Sequence, residues 1–276
     1  MTNAVITQTT YNAPQDTAGF ISAIVTACQN AGMGSVFDSY NNGSGDPVRV
    51  FKIDSPNAGG KSFYFNVWVL TTGTAIRGVQ TQIYETWNAT THTGTNASSA
   101  YSASSSSDSY SYTNNQPINL YAINHPEFRG VTIQQSGSTT HTIGFLKPFN
   151  IPSWWAEISF PYGFMHVSGA SLYNFYPLGT GANALATGSA CNILYSSAMS
   201  FVNPYNNKRD IYNGLLLLPD SSNGNRAGII GKTSNDLCLV CASGLSLFDV
   251  VQVTPGSEEY TLITAGGTPG IAIRTT

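Results

Sequence analysis

The residues able to do chemistry in this chain are few and scattered. Cys238 and Cys241 form "CLVC", and a C-x-x-C can hold zinc or exchange a disulfide. The motif lies in "DLCLVCAS", an apolar run of strand character, where positions three apart point to opposite faces. No second C-x-x-C and no nearby histidine accompanies it, and Cys28 and Cys191 stand apart. The expectation is four buried, reduced thiols without metal. His92, His125, His141 and His166 form no H-x-H or H-x-x-x-H pair that could start a metal site.

Nucleophiles and carboxylates are no better organised. No serine has glycines two before and two after it, so the nucleophile elbow is missing. Neither H-E-x-x-H nor a Walker loop occurs, and "DSSNGN" (220–225) lacks the carboxylates of a calcium loop. A glycosidase needs two carboxylates across a cleft. Glu127, Glu157, Asp210, Asp220 and Asp249 are available, but their spacing pairs no two of them, and the adjacent Glu258 and Glu259 point apart on a strand. The expectation is a protein that is not an enzyme and uses no cofactor.

Two stretches suit contact rather than reaction. "PSWWAEISFPYGF" (152–164) offers Trp154 and Trp155 as a platform for stacking sugars, or as a buried or interfacial aromatic cluster. "NASSAYSASSSSDSYSYTNN" (96–115) has nine serines among the fourteen residues from Ser98 to Ser111, with Tyr101, Tyr110 and Tyr112 set among them. Tyrosine supplies contact area at small entropic cost and serine supplies adaptable hydrogen bonds. The tract reads as a flexible linker, as a loop ordered by another subunit, or as a surface for a host receptor.

The bulk composition narrows the partners. Charged residues make up 9% of the chain, against about 25% in typical soluble domains, and the formal net charge is −3. Such a surface offers no field for nucleic acid or an anionic membrane. "GLLLLP" (214–219) falls far short of the roughly 20 apolar residues that span a bilayer. A surface wetted by hydroxyls and amides suits the outside of cells. "MTNAVITQTTYNAPQ", however, has neither the basic nor the apolar region of a secretory signal. A virion protein, folded in the host cytoplasm and released by lysis, reconciles the two.

One helix is legible in "PQDTAGFISAIVTACQNAGMG". Asp16 or Thr17 is its N-cap, Phe20, Ile24, Cys28 and Ala31 its apolar stripe, and Gly32 its stop. Beyond it, strand patterns follow one another. They include "VRVFKID" (48–54), "KSFYFNVWVLTT" (61–72), "AIRGVQTQIYETW" (75–87), "INLYAIN" (118–124), "DIYNGLLLL" (210–218) and "LSLFDVVQV" (245–253). In the second, Phe63, Phe65, Val67 and Val69 face one way and Tyr64, Trp68 and Leu70 the other, which predicts a strand covered on both sides. Asn223-Gly224 signals a hairpin. The fold class expected is mainly β, an antiparallel sandwich or barrel-like fold with one N-terminal α-helix. Residues 1–95 would hold the helix and first strands, 96–116 a Ser/Tyr-rich excursion or linker, and 117–276 a β-rich region that either stands alone or forms one continuous domain with 1–95.

The phrases "MTNAVITQTTYNAPQDTAGFISAIVTACQNAG", "QTQIYETWNATTHTGTN" and "INLYAINHPEFRGVTI" resemble structural proteins of tailed bacteriophages, cyanophage tail and baseplate components above all. The resemblance implies a non-enzymatic virion component in several copies, a peripheral tail, baseplate or fibre-associated subunit. Its partners would be other virion subunits, itself and a host surface glycan. No site residue comes with it. A capsid decoration protein, or a carbohydrate-binding or glycan-cleaving β-sandwich protein, is the alternative.

Overall fold

A computed structural model describes residues 2–12, 16–54, 62–72, 75–95, 101–102, 116–135, 140–146, 163–168, 172–177, 191–193, 209, 211–214, 216–219, 231–252, 256–264 and 270–276. In chain order these form β1 (Val5–Tyr11), α1 (Thr17–Asn30), β2 (Val36–Asn41), β3 (Pro47–Ile53), β4 (Phe63–Thr72) and β5 (Ala75–Tyr84). Then come β6 (Thr86–Asn88), β7 (Thr93–Thr95), β8 (Tyr101–Ser102), β9 (Ile118–His125), β10 (Phe128–Gln135) and β11 (His141–Leu146). β12 (Gly163–Ser168), β13 (Leu172–Pro177), β14 (Cys191–Ile193), β15 (Ile211–Asn213) and β16 (Leu216–Pro219) follow. The last are β17 (Gly231–Lys232), β18 (Leu237–Val240), β19 (Val250–Gln252), β20 (Glu259–Leu262) and β21 (Gly270–Arg274). The protein is mainly β, its strand pairs are antiparallel, and α1 is the single helix among the described residues.

The helix ends as its sequence dictates. Asp16 has extended backbone geometry, and its carboxylate accepts from the Ala18 and Gly19 amides, both at 3.0 Å. At the other end Gly32 turns left-handed (φ +77°). There the Gly32 amide donates to the Gln29 carbonyl and the Met33 amide to the Cys28 carbonyl, which satisfies two orphan acceptors. Phe20, Ile21, Ile24, Ala27 and Cys28 are fully buried.

That buried helix face completes a core between two sheets. A five-stranded sheet of order β2-β3-β4-β5-β8 contributes Phe51, Phe63, Phe65, Val67, Val69 and Ile83. Leu120, Val131, Ile143 and Phe145 come from β9–β11 of a nine-stranded sheet. Phe145 meets Phe63 and Phe65 in edge-to-face contacts, with centroids 5.0 and 5.2 Å away. The reverse face of β9–β11 meets the second five-stranded sheet, of order β15-β18-β21-β20-β19. There the Thr132 and Thr142 hydroxyls, 2.9 Å apart, lie 3.4 and 3.3 Å from the Ile263 carbonyl, and Tyr121 packs on Phe248. The nine-stranded sheet is thus the middle of three layers where β9–β11 run.

Hydrogen bonds near the start of the chain fasten the outer layer. The Ala4 amide donates to the Arg274 carbonyl at 2.8 Å. His125 accepts the Glu127 amide on Nδ1 (3.1 Å), so Nε2 carries the proton and donates to the Thr2 carbonyl at 2.8 Å. β1 itself pairs along its whole length with β9, across the serine tract.

Several expectations need correction. The tract does not leave the sheets entirely, because Tyr101 and Ser102 form β8 and pair with Thr81 and Gln80 of β5. "DIYNGLLLL" is two strands in different sheets, divided at Gly214, whose φ is +78°. "LSLFDVVQV" is strand only from Val250; before it, the Asp249 carboxylate accepts the Ser246 amide at 2.7 Å and holds a turn. β4 is fully covered on one face alone, since Tyr64, Trp68 and Leu70 are half-buried on an open face. β1, β2 and the β6–β7 hairpin were not expected. Asn223-Gly224 lies outside the described residues.

Candidate functional site

The open face of the β2–β5 sheet is where unlike residue types converge. Strand register fixes its rows. Asp38 lies opposite Val50, Val50 opposite Asn66, and Asn66 opposite Gln82; in the next row stand Tyr40, Val48, Trp68 and Gln80. Alternate residues of each strand share a face, so the phenylalanines and valines of β4 go to the core while Tyr64, Asn66 and Trp68 line the outside. The β2–β3 turn closes one end. In it the Asn42 side-chain oxygen accepts the Ser44 and Asp46 amides, both at 2.9 Å.

The result is a cleft of ≈ 380 Å³ whose lining includes Tyr40, Trp68, Tyr84, Asn66, Gln80 and Gln82. Asp46 is the carboxylate among the described lining residues, and it is committed to structure. Its two oxygens take the Thr71 hydroxyl at 2.7 Å and the Asn42 amide at 3.3 Å. Burial, then the neighbouring Asp38 charge, holds the Tyr40 hydroxyl above its ordinary pKa; burial, then Tyr40, does so for Tyr84. Both phenols keep their protons, and Tyr84 donates to Gln82 Oε1 at 2.5 Å. The Asn66 side-chain oxygen has no hydrogen-bond partner, although the residue is 2% exposed.

Tyr40 is held from behind. The Asp38 carboxylate accepts the Trp87 indole N–H at 2.8 Å and meets His92 Nδ1 at 2.9 Å. The His92 ring stacks on Tyr40, with centroids 4.3 Å apart and planes 12° from parallel. His92 adopts φ +52°, an uncommon backbone state for a residue with a Cβ.

Exposed apolar side chains form a second pattern. Among the described residues, Val5, Phe37, Tyr212 and Val250 are the exposed large hydrophobics, 44–63% accessible. They lie on β1, β2, β15 and β19, each the terminal strand of its sheet. Seven-residue β1 carries no charge, proline or register shift, the usual guards of an edge.

Of the residues singled out from sequence, Tyr101 lies on β8 at the edge of the cleft-bearing sheet. Tyr110, Tyr112, Trp154 and Trp155 lie outside the described residues. Cys28, Cys238 and Cys241 are buried free thiols; burial pushes Cys28 and Cys238 up to about 12. Glu127 and Asp249 each accept a backbone amide, from Ser234 and Ser246. No cluster of metal-ligating side chains occurs among the described residues. Sequence reasoning missed the cleft, although the alternation Tyr64-Asn66-Trp68 beside Gln80-Gln82-Tyr84 was available to find it. Compared with protein-family models, curated proteins and solved structures, the chain gives no match.

Proposed function

We propose that this is a non-enzymatic, multi-copy structural protein of a tailed-phage virion, a peripheral tail, baseplate or fibre-associated subunit. The observation that carries the reading is the placement of the four exposed large hydrophobics among the described residues on sheet-terminal strands. A terminal strand presents unpaired backbone groups, and apolar side chains beside them favour pairing with another chain. β1 fits a second copy of this chain best, having neither charge nor bulge to oppose pairing. Low charge density and the phage-like phrases of the sequence support a particle component over a freely soluble one.

The test is self-association of the purified protein over micromolar concentrations, by mass photometry and sedimentation. Wild type is expected to form a defined oligomer, and Val5→Lys with Thr7→Lys to shift it towards monomer without lowering the melting temperature much. A wild-type monomer throughout, together with absence of the chain from purified particles by mass spectrometry, would remove the proposal.

A further inference from the structure

We infer that the cleft on the open face of β2–β5 is a binding site for a neutral glycan. The claim goes beyond assembly, since one copy holds the whole cleft.

Three features select the ligand. The rings of Tyr40, Trp68 and Tyr84 share one lining. An aromatic face is the negative part of the ring quadrupole, and it attracts the slightly positive C–H face of a pyranose. Interleaved with the rings are the side-chain amides of Asn66, Gln80 and Gln82; such an amide carries one acceptor and two donor hydrogens, and the Gln82 oxygen already accepts the Tyr84 hydroxyl. That mixture matches adjacent sugar hydroxyls, which donate and accept at neighbouring carbons.

The second, independent feature is the orphan Asn66 oxygen. A buried acceptor left unpaired is costly, so native structures usually pair it. Asn66 sits mid-row on the cleft floor, between Val50 and Gln82 in register. The oxygen is closed to solvent, so a ligand hydroxyl donates to it only where a lining side chain shifts aside on binding.

The third is charge. The carboxylate in the lining, Asp46, already has donors on both oxygens, and no lysine or arginine is among the described lining residues. A charged sugar or phosphate would find no counter-ion. A peptide is disfavoured for another reason. The cleft lies on a sheet face whose ladder bonds are already made, so an extended chain finds no edge to pair with. The volume, near the lower end of the usual 300–1,000 Å³ for ligand pockets, suits a short glycan segment.

The experiment is saturation-transfer NMR and tryptophan fluorescence on the full chain. The probes are uncharged trisaccharides of glucose, mannose, galactose and N-acetylglucosamine in α and β linkages, with sialyllactose and a proline-rich peptide as competitors. At least one neutral trisaccharide is expected to bind in the millimolar range or tighter. Trp68→Ala is expected to weaken it about tenfold, as losing one aromatic stacking surface does. Gln80→Ala should weaken it by a smaller factor, and Ser22→Ala, on the exposed side of α1, should leave it unchanged. Gln80→Ala keeps the test decisive where Trp68→Ala fails to fold. No binding by any neutral trisaccharide overturns the inference. So does binding indifferent to both cleft variants, or stronger binding of sialyllactose or the peptide.

Discussion

Two titratable side chains give the protein distinct responses to acid. His141 begins β11 and is buried, and burial lowers its pKa to about 4. It is therefore neutral in the fold, while the unfolded chain protonates it near the ordinary value of 6.5. Stability is full above that value and falls as pH drops from 6.5 towards 4. Denaturant unfolding at pH 7.5 and 4.5 is expected to show wild type losing about 2–3 kcal/mol more than His141→Gln across this interval. Asp38 titrates lower. Burial pushes its carboxyl up, but hydrogen bonds from His92, Trp87 and the Ser39 amide outweigh it and hold the group below 3.8. A depressed carboxyl stabilises above its unfolded value and loses that contribution as pH falls through its folded one. The Trp87 indole N–H resonance is therefore expected to stay shifted at pH 5 and to move only below 3.8. In Asp38→Asn it should show no such step.

At the scale of elements, β10 and β11 meet through a pair of glycines. Gly130 lies opposite Gly144, and the Phe128 ring lies close to the positions a Cβ would take at both. A Cβ on Gly144 would sit 2.6 Å from the Arg129 carbonyl and 2.8 Å from the Gly130 Cα, backbone atoms that cannot swing aside. Gly144→Ala is expected to cost about 1–3 kcal/mol, the usual range for overpacking, measured by chemical denaturation. Gly43→Ala, where a Cβ would meet open space, serves as the control. The same elements show which parts of the fold were legible. α1 could be read to within a residue because its stop signals are local: Asp16 caps and Gly32 turns. β4 could be read as a strand but not as a cleft wall, because Tyr64 and Trp68 look apolar in isolation. Only the amides across the sheet, set by a register the sequence does not state, open that face. β1 was passed over because "VITQTTY" is polar at alternate sites and mostly exposed, and its identity as a strand comes from β9, more than a hundred residues away.

For the whole molecule, the serine tract now has an anchor. β8 covers part of the β5 edge through Tyr101 and Ser102, so removing Ser98 to Ser111 would bare that edge as well as shorten a connection. Loop length itself matters little, about 0.6 kcal/mol per doubling. Replacing Tyr110 and Tyr112 by serine leaves β8 in place and tests the tyrosines alone. If they contact a neighbouring copy or a host surface, oligomer formation or adsorption is expected to fall while the melting temperature holds. Unchanged assembly and adsorption would make the tract a spacer.

The hydrogen bond between Ala4 and Arg274 sets a clock on biosynthesis. Some 270 residues separate the two, and at about 5–20 residues per second the ribosome takes roughly 15–55 s to cover them. Through that interval Ala4 waits for its partner in the outer sheet, and for somewhat less than half of it β1 waits for β9 with both of its edges bare. Crowded nascent chains can pair edge to edge before either is complete. Slower translation should therefore lower the soluble yield, and dilution of the nascent chains should restore it.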